Sequence, residues 1–195
     1  MNQEQEQLQA LQGIKQLMER SSRFSSISGI AGIVVGVLAT LVFASITYFN
    51  ITNVTELAVV FTVTLVVSLI AGVYFSLKKA KKRNEKVWDS TAKRFVLNFF
   101  IPLFVGGIMC LLFACHQLLQ FIPSFMLVFY GMALLNASKF SIDTIWYLAL
   151  LELLLGIAAA FFVEAGLWFW MIGFGILHIV YGFIIYYYYN HYLWL

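Results

Sequence analysis

Residues 145–189 decide the fold of this chain: IWYLALLELLLGIAAAFFVEAGLWFWMIGFGILHIVYGFIIYYYY. The stretch contains no Lys, Arg or Asp, and its acidic residues are Glu152 and Glu164. A helix needs about 20 mostly apolar residues to cross the hydrocarbon core of a bilayer. The stretch is therefore long enough for two crossings, with a turn near Ala165.

Four more apolar runs precede this pair, and none alternates polar and apolar residues as a membrane β-strand does. The predicted spans are 27–49, 56–77, 95–116, 122–138, 145–163 and 166–189. Of the 195 residues, 62% are hydrophobic and 11% are charged, against about 45–50% and about 25% in soluble domains. This composition excludes a soluble globular domain and a disordered chain, and two Cys make no disulfide framework. We predict an all-α membrane protein with six transmembrane helices that contacts the lipid bilayer.

The cationic residues predict the orientation. All 12 Lys and Arg residues fall before span one, between spans two and three, or between spans four and five. These segments share one side of the membrane, which the positive-inside rule makes cytoplasmic. The expected topology is three antiparallel hairpins with both termini inside. The net charge of +3 then reflects contact with anionic headgroups rather than nucleic acid.

The predicted membrane domain spans residues 26–189, and three segments are expected to lie outside the bilayer: residues 1–25, the cytoplasmic loop 78–94 of that domain, and residues 190–195. Residues 1–25 place Leu8, Leu11, Ile14 and Met18 at helical spacing, which fits either an amphipathic helix on the inner membrane face or a frayed polar terminus. The basic loop 78–94 contains no Gly or Pro and is expected to be partly helical. Residues 190–195 form a short cytoplasmic tail.

Spans five and six each carry a stripe of small residues interrupted once by an ionisable side chain. The stripes are Ala149, Glu152, Gly156 and Ala159 in span five, and Met171, Gly175, His178 and Gly182 in span six. Small residues let membrane helices approach closely. In an antiparallel pair of helices with its turn near Ala165, the numbers of two residues at equal depth add up to about 330. We therefore expect Gly156 beside Gly175, Ala149 beside Gly182, and Glu152 level with His178, about 10–15 Å from the cytoplasmic edge.

An ionised Glu152 at that depth would cost several kcal/mol. Two arrangements relieve this cost: a neutral, protonated carboxyl group, or a hydrogen-bonded pair with a positively charged His178. Intramembrane ionisable residues are functional-site hypotheses by default. A structural hydrogen bond that locks the two helices, aided by Tyr147 and Tyr181, is the alternative explanation.

Other polar residues of the same membrane half are Asn98 in span three, Asn136 and Ser138 in span four, and Tyr147 and Tyr181 in spans five and six. This asymmetry predicts a polar cavity open to the cytoplasm, or a surface that binds a protein partner there. Capping and snorkelling at helix ends explain Asn98 and Ser138 equally well.

The chain lacks the HExxH, GxSxG, Walker and dinucleotide-binding patterns. One Glu and one His offer too few ligands for a metal, so we expect no cofactor and no metal site. An intramembrane enzyme is accordingly the interpretation with least support.

Three stretches carry a resemblance: residues 20–29, RSSRFSSISG; residues 135–139, LNASK; and residues 173–182, GFGILHIVYG. They resemble a group of small, uncharacterised bacterial membrane proteins of the same length, over most of the chain. The resemblance implies a multi-pass protein of the bacterial cytoplasmic (inner) membrane and implies no activity. In size and number of spans the chain is also similar to substrate-binding membrane subunits of vitamin uptake systems.

Two functions remain open from the sequence. The first is small-solute or proton-coupled transport, or the membrane subunit of a transporter, with Glu152 and His178 as the responsive pair. Asn98, Asn136, Tyr147 and Tyr181 complete this candidate binding site for a small molecule. The alternative is a non-transporting sensor or scaffold that docks a partner through residues 1–25 and the basic loop. The sequence does not specify the oligomeric state.

Overall fold

The computed structural model describes residues 28–82 and 88–191, and within these ranges it contains helices and no strand. The first five spans are α1 (Gly29–Tyr48), α2 (Val54–Lys82), α3 (Ser90–Cys115), α4 (Ile122–Ser138) and α5 (Thr144–Phe161). The sixth span is composite: α6 (Gly166–Trp170), a π-helical segment (Met171–Leu177) and α7 (His178–His191). Short 3₁₀ turns, Leu119–Phe121 and Val163–Ala165, precede α4 and α6.

Within the described residues, six helical stretches are long and apolar enough to cross a membrane, which confirms the predicted number of spans. Span four begins and ends where predicted, whereas α2 continues to Lys82 and α3 begins at Ser90. The described parts of segment 78–94 are thus largely helical, as expected from its lack of Gly and Pro. The side of the membrane that each loop faces and the division into three hairpins stay predictions.

Local chemistry explains several helix boundaries. Asp89 precedes α3, and its Oδ1 accepts a hydrogen bond of 2.7 Å from the Ala92 amide, which satisfies a free donor of the first turn. Pro123 lies in the first turn of α4, where its missing N–H costs nothing. Asn50 and Gln117 adopt positive φ angles of 49° and 59° just beyond α1 and α3. These conformations reverse the chain within short loops.

Two packing relationships organise the bundle. The fourth span packs against both α3 and α5, and α1 packs against α2 and the sixth span. The Ser124 hydroxyl of α4 donates a buried hydrogen bond of 2.7 Å to the Gly156 carbonyl oxygen of α5. A second contact joins α1 to the sixth span at glycines: a Cβ on Gly36 would lie 2.6 Å from the Gly175 oxygen, and one on Gly182 would lie 2.6 Å from the Gly29 oxygen.

This packing corrects the predicted contact between the two small-residue stripes. Gly156 faces Val128 of α4 rather than Gly175, and Gly175 and Gly182 face α1 rather than α5. Small residues specify that a backbone can come close, but they carry no information about which backbone does so. The stripes therefore serve two different interfaces.

The second span is the least buried. Ala80, near its end, is its only fully buried residue, and α2 packs chiefly on α1 rather than on α3. Space consequently remains between α2 and α3, and this space forms part of the cavity described below.

Candidate intramembrane polar site

Glu152 and His178 meet inside the bundle. Glu152 is 0% exposed and His178 is 4% exposed, and Oε1 of the carboxyl group lies 3.4 Å from Nδ1 of the imidazole. The two residues therefore lie at the same height in the bundle, as their residue numbers predict. The glycines of the two stripes, in contrast, pack against α4 and α1. The contact depends on the approach of α5 to the sixth span at this depth.

A glycine makes room for the carboxyl group. A Cβ on Gly173 would lie 2.6 Å from Oε2 of Glu152, closer than real Cβ atoms approach an oxygen. Gly173 belongs to the π-helical segment, and such segments occur frequently at functional sites because they interrupt the regular ladder. The side chain of Glu152 thus occupies space that any other residue at position 173 would take.

Hydrogen bonds fix the tautomer of His178. Nδ1 lies 2.9 Å from the Gly173 carbonyl oxygen, which can only accept, so Nδ1 carries the proton and donates. Nε2 lies 2.7 Å from the Tyr130 hydroxyl. In a neutral imidazole Nε2 then accepts, and Tyr130 donates. Both ring nitrogens are satisfied without a positive charge on the ring.

The carboxyl group of Glu152 has no such partners. Neither of its oxygens has a hydrogen-bond partner within the described residues, since the 3.4 Å approach of Nδ1 is long and that N–H already points at Gly173. An ionised carboxylate in this position would keep its full desolvation cost. The geometry therefore favours a neutral carboxyl group and leaves it free to gain a partner.

Tyr130 is the site residue that the sequence analysis missed. It lies at the middle of α4, and its ring contacts those of Phe99, Phe174 and His178 at centroid distances of 6.0, 5.0 and 5.3 Å. The one available signal was a lone Tyr eight residues from either end of a short span. Its hydroxyl extends the Glu152–His178 pair to a third helix.

A cavity of about 330 Å³ borders this network. Tyr130, His178 and Tyr181 form part of its wall, and residues from all six spans enclose the rest. None of the described residues that line it is Asp, Glu, Lys or Arg, and most are apolar. Glu152 does not line the cavity; it lies behind His178.

This wall differs from the polar cavity that the sequence predicted. Tyr181 lines the cavity, but Asn98, Asn136 and Tyr147 do not. Tyr147 is 63% exposed on the outside of α5, because five positions before Glu152 correspond to a rotation of about 140° around a helix. The same membrane depth does not place two residues on the same face.

The two asparagines do not line this cavity either. Both are half-buried, and the Asn98 side chain donates a hydrogen bond of 2.8 Å to the Arg94 carbonyl oxygen of its own helix. Such a bond satisfies one amide hydrogen within the helix itself. Asn98, Asn136 and Tyr147 thus do not line the described cavity, and their part in a binding site stays a prediction.

Residues 1–25, the central part of the basic loop and the end of the tail lie outside the described residues, so the expected amphipathic helix stays a prediction. Among the residues that are described, no three His, Cys, Asp or Glu side chains lie together in a way that could hold a metal ion.

Comparisons of the chain with protein-family models, with curated proteins and with solved structures find no match.

Proposed function

We propose that this polytopic membrane protein is a proton-coupled small-solute transporter, or the membrane subunit of one. Glu152 is the proton-binding group, His178 its partner, and Tyr130 the link to the cavity where solute binds. The observation that carries the proposal is a fully buried carboxyl group, without a hydrogen bond from any described residue, 3.4 Å from an imidazole that lines the cavity.

The network offers a physical route from the cavity to the carboxyl group. A solute that donates a hydrogen bond to the Tyr130 oxygen makes the Tyr130 hydroxyl a stronger donor to Nε2 of His178, so the bound state favours a neutral ring. When the solute leaves, that bond weakens, and Nε2 can take up a proton through the cavity, which makes the ring positive. A positive His178 beside Glu152 stabilises the ionised carboxylate. Solute binding and the proton occupancy of Glu152 are thereby linked, as transport coupling requires.

The location follows from the same reasoning. Most of the cationic residues lie where α2 ends and α3 begins. This clustering supports a cytoplasmic position for that end of the bundle. The cavity lies in the same half, since Ala80 and Ala92 line it. We propose that this protein resides in a bacterial cytoplasmic membrane with its cavity in the cytoplasmic half.

The test begins with solutes that raise the thermal midpoint of the purified protein, selected from a metabolite library. The protein is then reconstituted into liposomes that enclose a pH-sensitive dye. Addition of a stabilising solute moves protons with the wild-type protein, and Glu152→Gln still binds solute but moves none. Glu164→Gln, a change of an exposed Glu in the turn before α6, is the matched control and behaves as wild type.

Wild-type proton movement in both Glu152→Gln and His178→Ala would refute this mechanism. A solute that binds without any transport by the wild-type protein would instead favour the sensor or scaffold.

A further inference from the structure

We infer that the cavity takes a neutral, largely apolar molecule that carries one hydroxyl group, which donates a hydrogen bond to Tyr130. This inference deepens the proposed function, on which it rests, by naming the class of solute. It depends on the lining, size and surroundings of the cavity and on the direction of one hydrogen bond.

The described part of the lining disfavours a charged solute. No Asp, Glu, Lys or Arg occurs among the described residues of the wall. An ion that enters an apolar site loses its hydration without a counter-charge, which costs many kcal/mol. A neutral molecule with an apolar body replaces hydrocarbon contacts with protein contacts and avoids this cost.

The volume limits the size of the molecule. A buried apolar cavity of about 150 Å³ holds one benzene molecule, so a cavity of about 330 Å³ fits a body about twice as large. This is also the lower end of the range of about 300–1,000 Å³ for ligand sites. Leu65 and Val73 of α2 line the cavity and are about half exposed, so an apolar molecule can enter from the surrounding lipid between α2 and α3.

The hydrogen bond selects the polar group. Because Nδ1 of His178 donates to Gly173, Nε2 accepts from the Tyr130 hydroxyl. The single proton of that hydroxyl is already donated to Nε2, but the hydroxyl oxygen can still accept a hydrogen bond. A ligand group that donates therefore fits beside Tyr130, whereas a ligand that only accepts finds no free proton there.

Three matched probes test the inference: 4-phenylphenol, biphenyl and biphenyl-4-carboxylate. Their equilibrium binding is measured in radiolabelled form on full-length protein in lipid nanodiscs, with empty nanodiscs subtracted. We expect saturable binding of 4-phenylphenol about fivefold tighter than that of biphenyl, and no binding of the carboxylate. Tyr130→Phe reduces the affinity for 4-phenylphenol to that for biphenyl and leaves biphenyl unchanged.

Two glycines supply a second pair of variants. A Cβ at Gly72 or at Gly107 meets no atom within 4 Å, so both positions accept a side chain. Gly72 lines the cavity and Gly107 does not. Gly72→Phe is expected to abolish binding of both neutral probes, and Gly107→Phe to bind them as wild type does.

Three results would overturn the inference: binding of the carboxylate as tight as that of 4-phenylphenol, equal binding by the two Gly variants, or equal, unsaturable uptake of both neutral probes. The last would mean that acyl chains fill the cavity. The proposed function would survive any of these if a library solute still moved protons in a Glu152-dependent way. Conversely, Tyr130-dependent probe binding with no proton movement for any bound solute would retain the inference and remove the proton coupling.

Discussion

The carboxyl group of Glu152 lies where a side chain on Gly173 would be, with Oε2 2.6 Å from the position of that missing Cβ. The backbone oxygen of Gly173 also accepts the hydrogen bond from Nδ1 of His178. One glycine in the π-helical segment thus makes room for the acid and orients the imidazole.

Gly173→Ala is expected to destabilise the protein by about 1–3 kcal/mol, because the added methyl group overpacks a site with no space to relax. It also displaces the Glu152 carboxyl group. Thermal unfolding followed by tryptophan fluorescence in detergent measures the loss. Gly107→Ala, whose Cβ meets open space, is the control and should be neutral or slightly stabilising. Equal midpoints for the two variants would contradict the tight fit at Gly173.

Gly182→Ala tests the approach of the sixth span to α1. Its Cβ would lie 2.6 Å from the Gly29 oxygen and the Ile33 nitrogen, which are backbone atoms and cannot rotate away. The two helices must separate, so we expect a larger loss of thermal stability than for Gly173→Ala. Gly72→Ala serves as the control because its Cβ is unobstructed. A wild-type midpoint for Gly182→Ala would show that this helix pair is not closely packed.

Ser124→Ala removes the hydroxyl that joins α4 to α5 through the Gly156 oxygen. Hydrogen bonds between membrane helices average about 0.6 kcal/mol and reach about 1.7 kcal/mol, so the expected loss lies in that range. Ser45→Ala is the matched control, since the exposed Ser45 hydroxyl bonds only to Leu41 of its own helix. Unfolding in mixed detergent micelles compares the two, and a loss no larger for Ser124→Ala would argue against an interhelical role.

The tautomer of His178 can be observed directly. The Gly173 oxygen requires a proton on Nδ1, and in the neutral ring that we expect, Nε2 accepts from the Tyr130 hydroxyl. Nitrogen-15 solid-state spectra of histidine-labelled protein should contain such a signal at neutral pH, and His178→Asn should remove it. Tyr130→Phe removes the donor to Nε2 and should shift the signal. A doubly protonated ring in the wild type would instead indicate an ion pair with Glu152.

The orientation of the bundle predicts opposite labelling at two positions. Cys115, exposed at the end of α3, lies on the side predicted to be outside. In a Cys110→Ala background, a membrane-impermeant maleimide added to intact spheroplasts should label Cys115. In a Cys-free background, Lys139→Cys should react only after lysis. The reverse pattern would invert the proposed topology.

The sequence alone accounts for the number of spans and for their approximate positions. Each membrane helix satisfies its backbone hydrogen bonds internally, so its existence depends on the length and apolarity of one segment. The level contact between Glu152 and His178 was also predictable, because a fixed rise of about 1.5 Å per residue converts position into relative height.

Which helix faces meet became clear only from the three-dimensional packing. Lipid tails are as apolar as the side chains they touch, so no hydrophobic force selects one helix pair over another. The choice depends on shape, such as the fit of Gly182 on α1 and of Gly156 on α4. Tyr130 contacts His178 and Tyr147 lies exposed on α5, because the rotation of each helix about its own axis depends on all of its neighbours together. That collective fit also produced the apolar cavity.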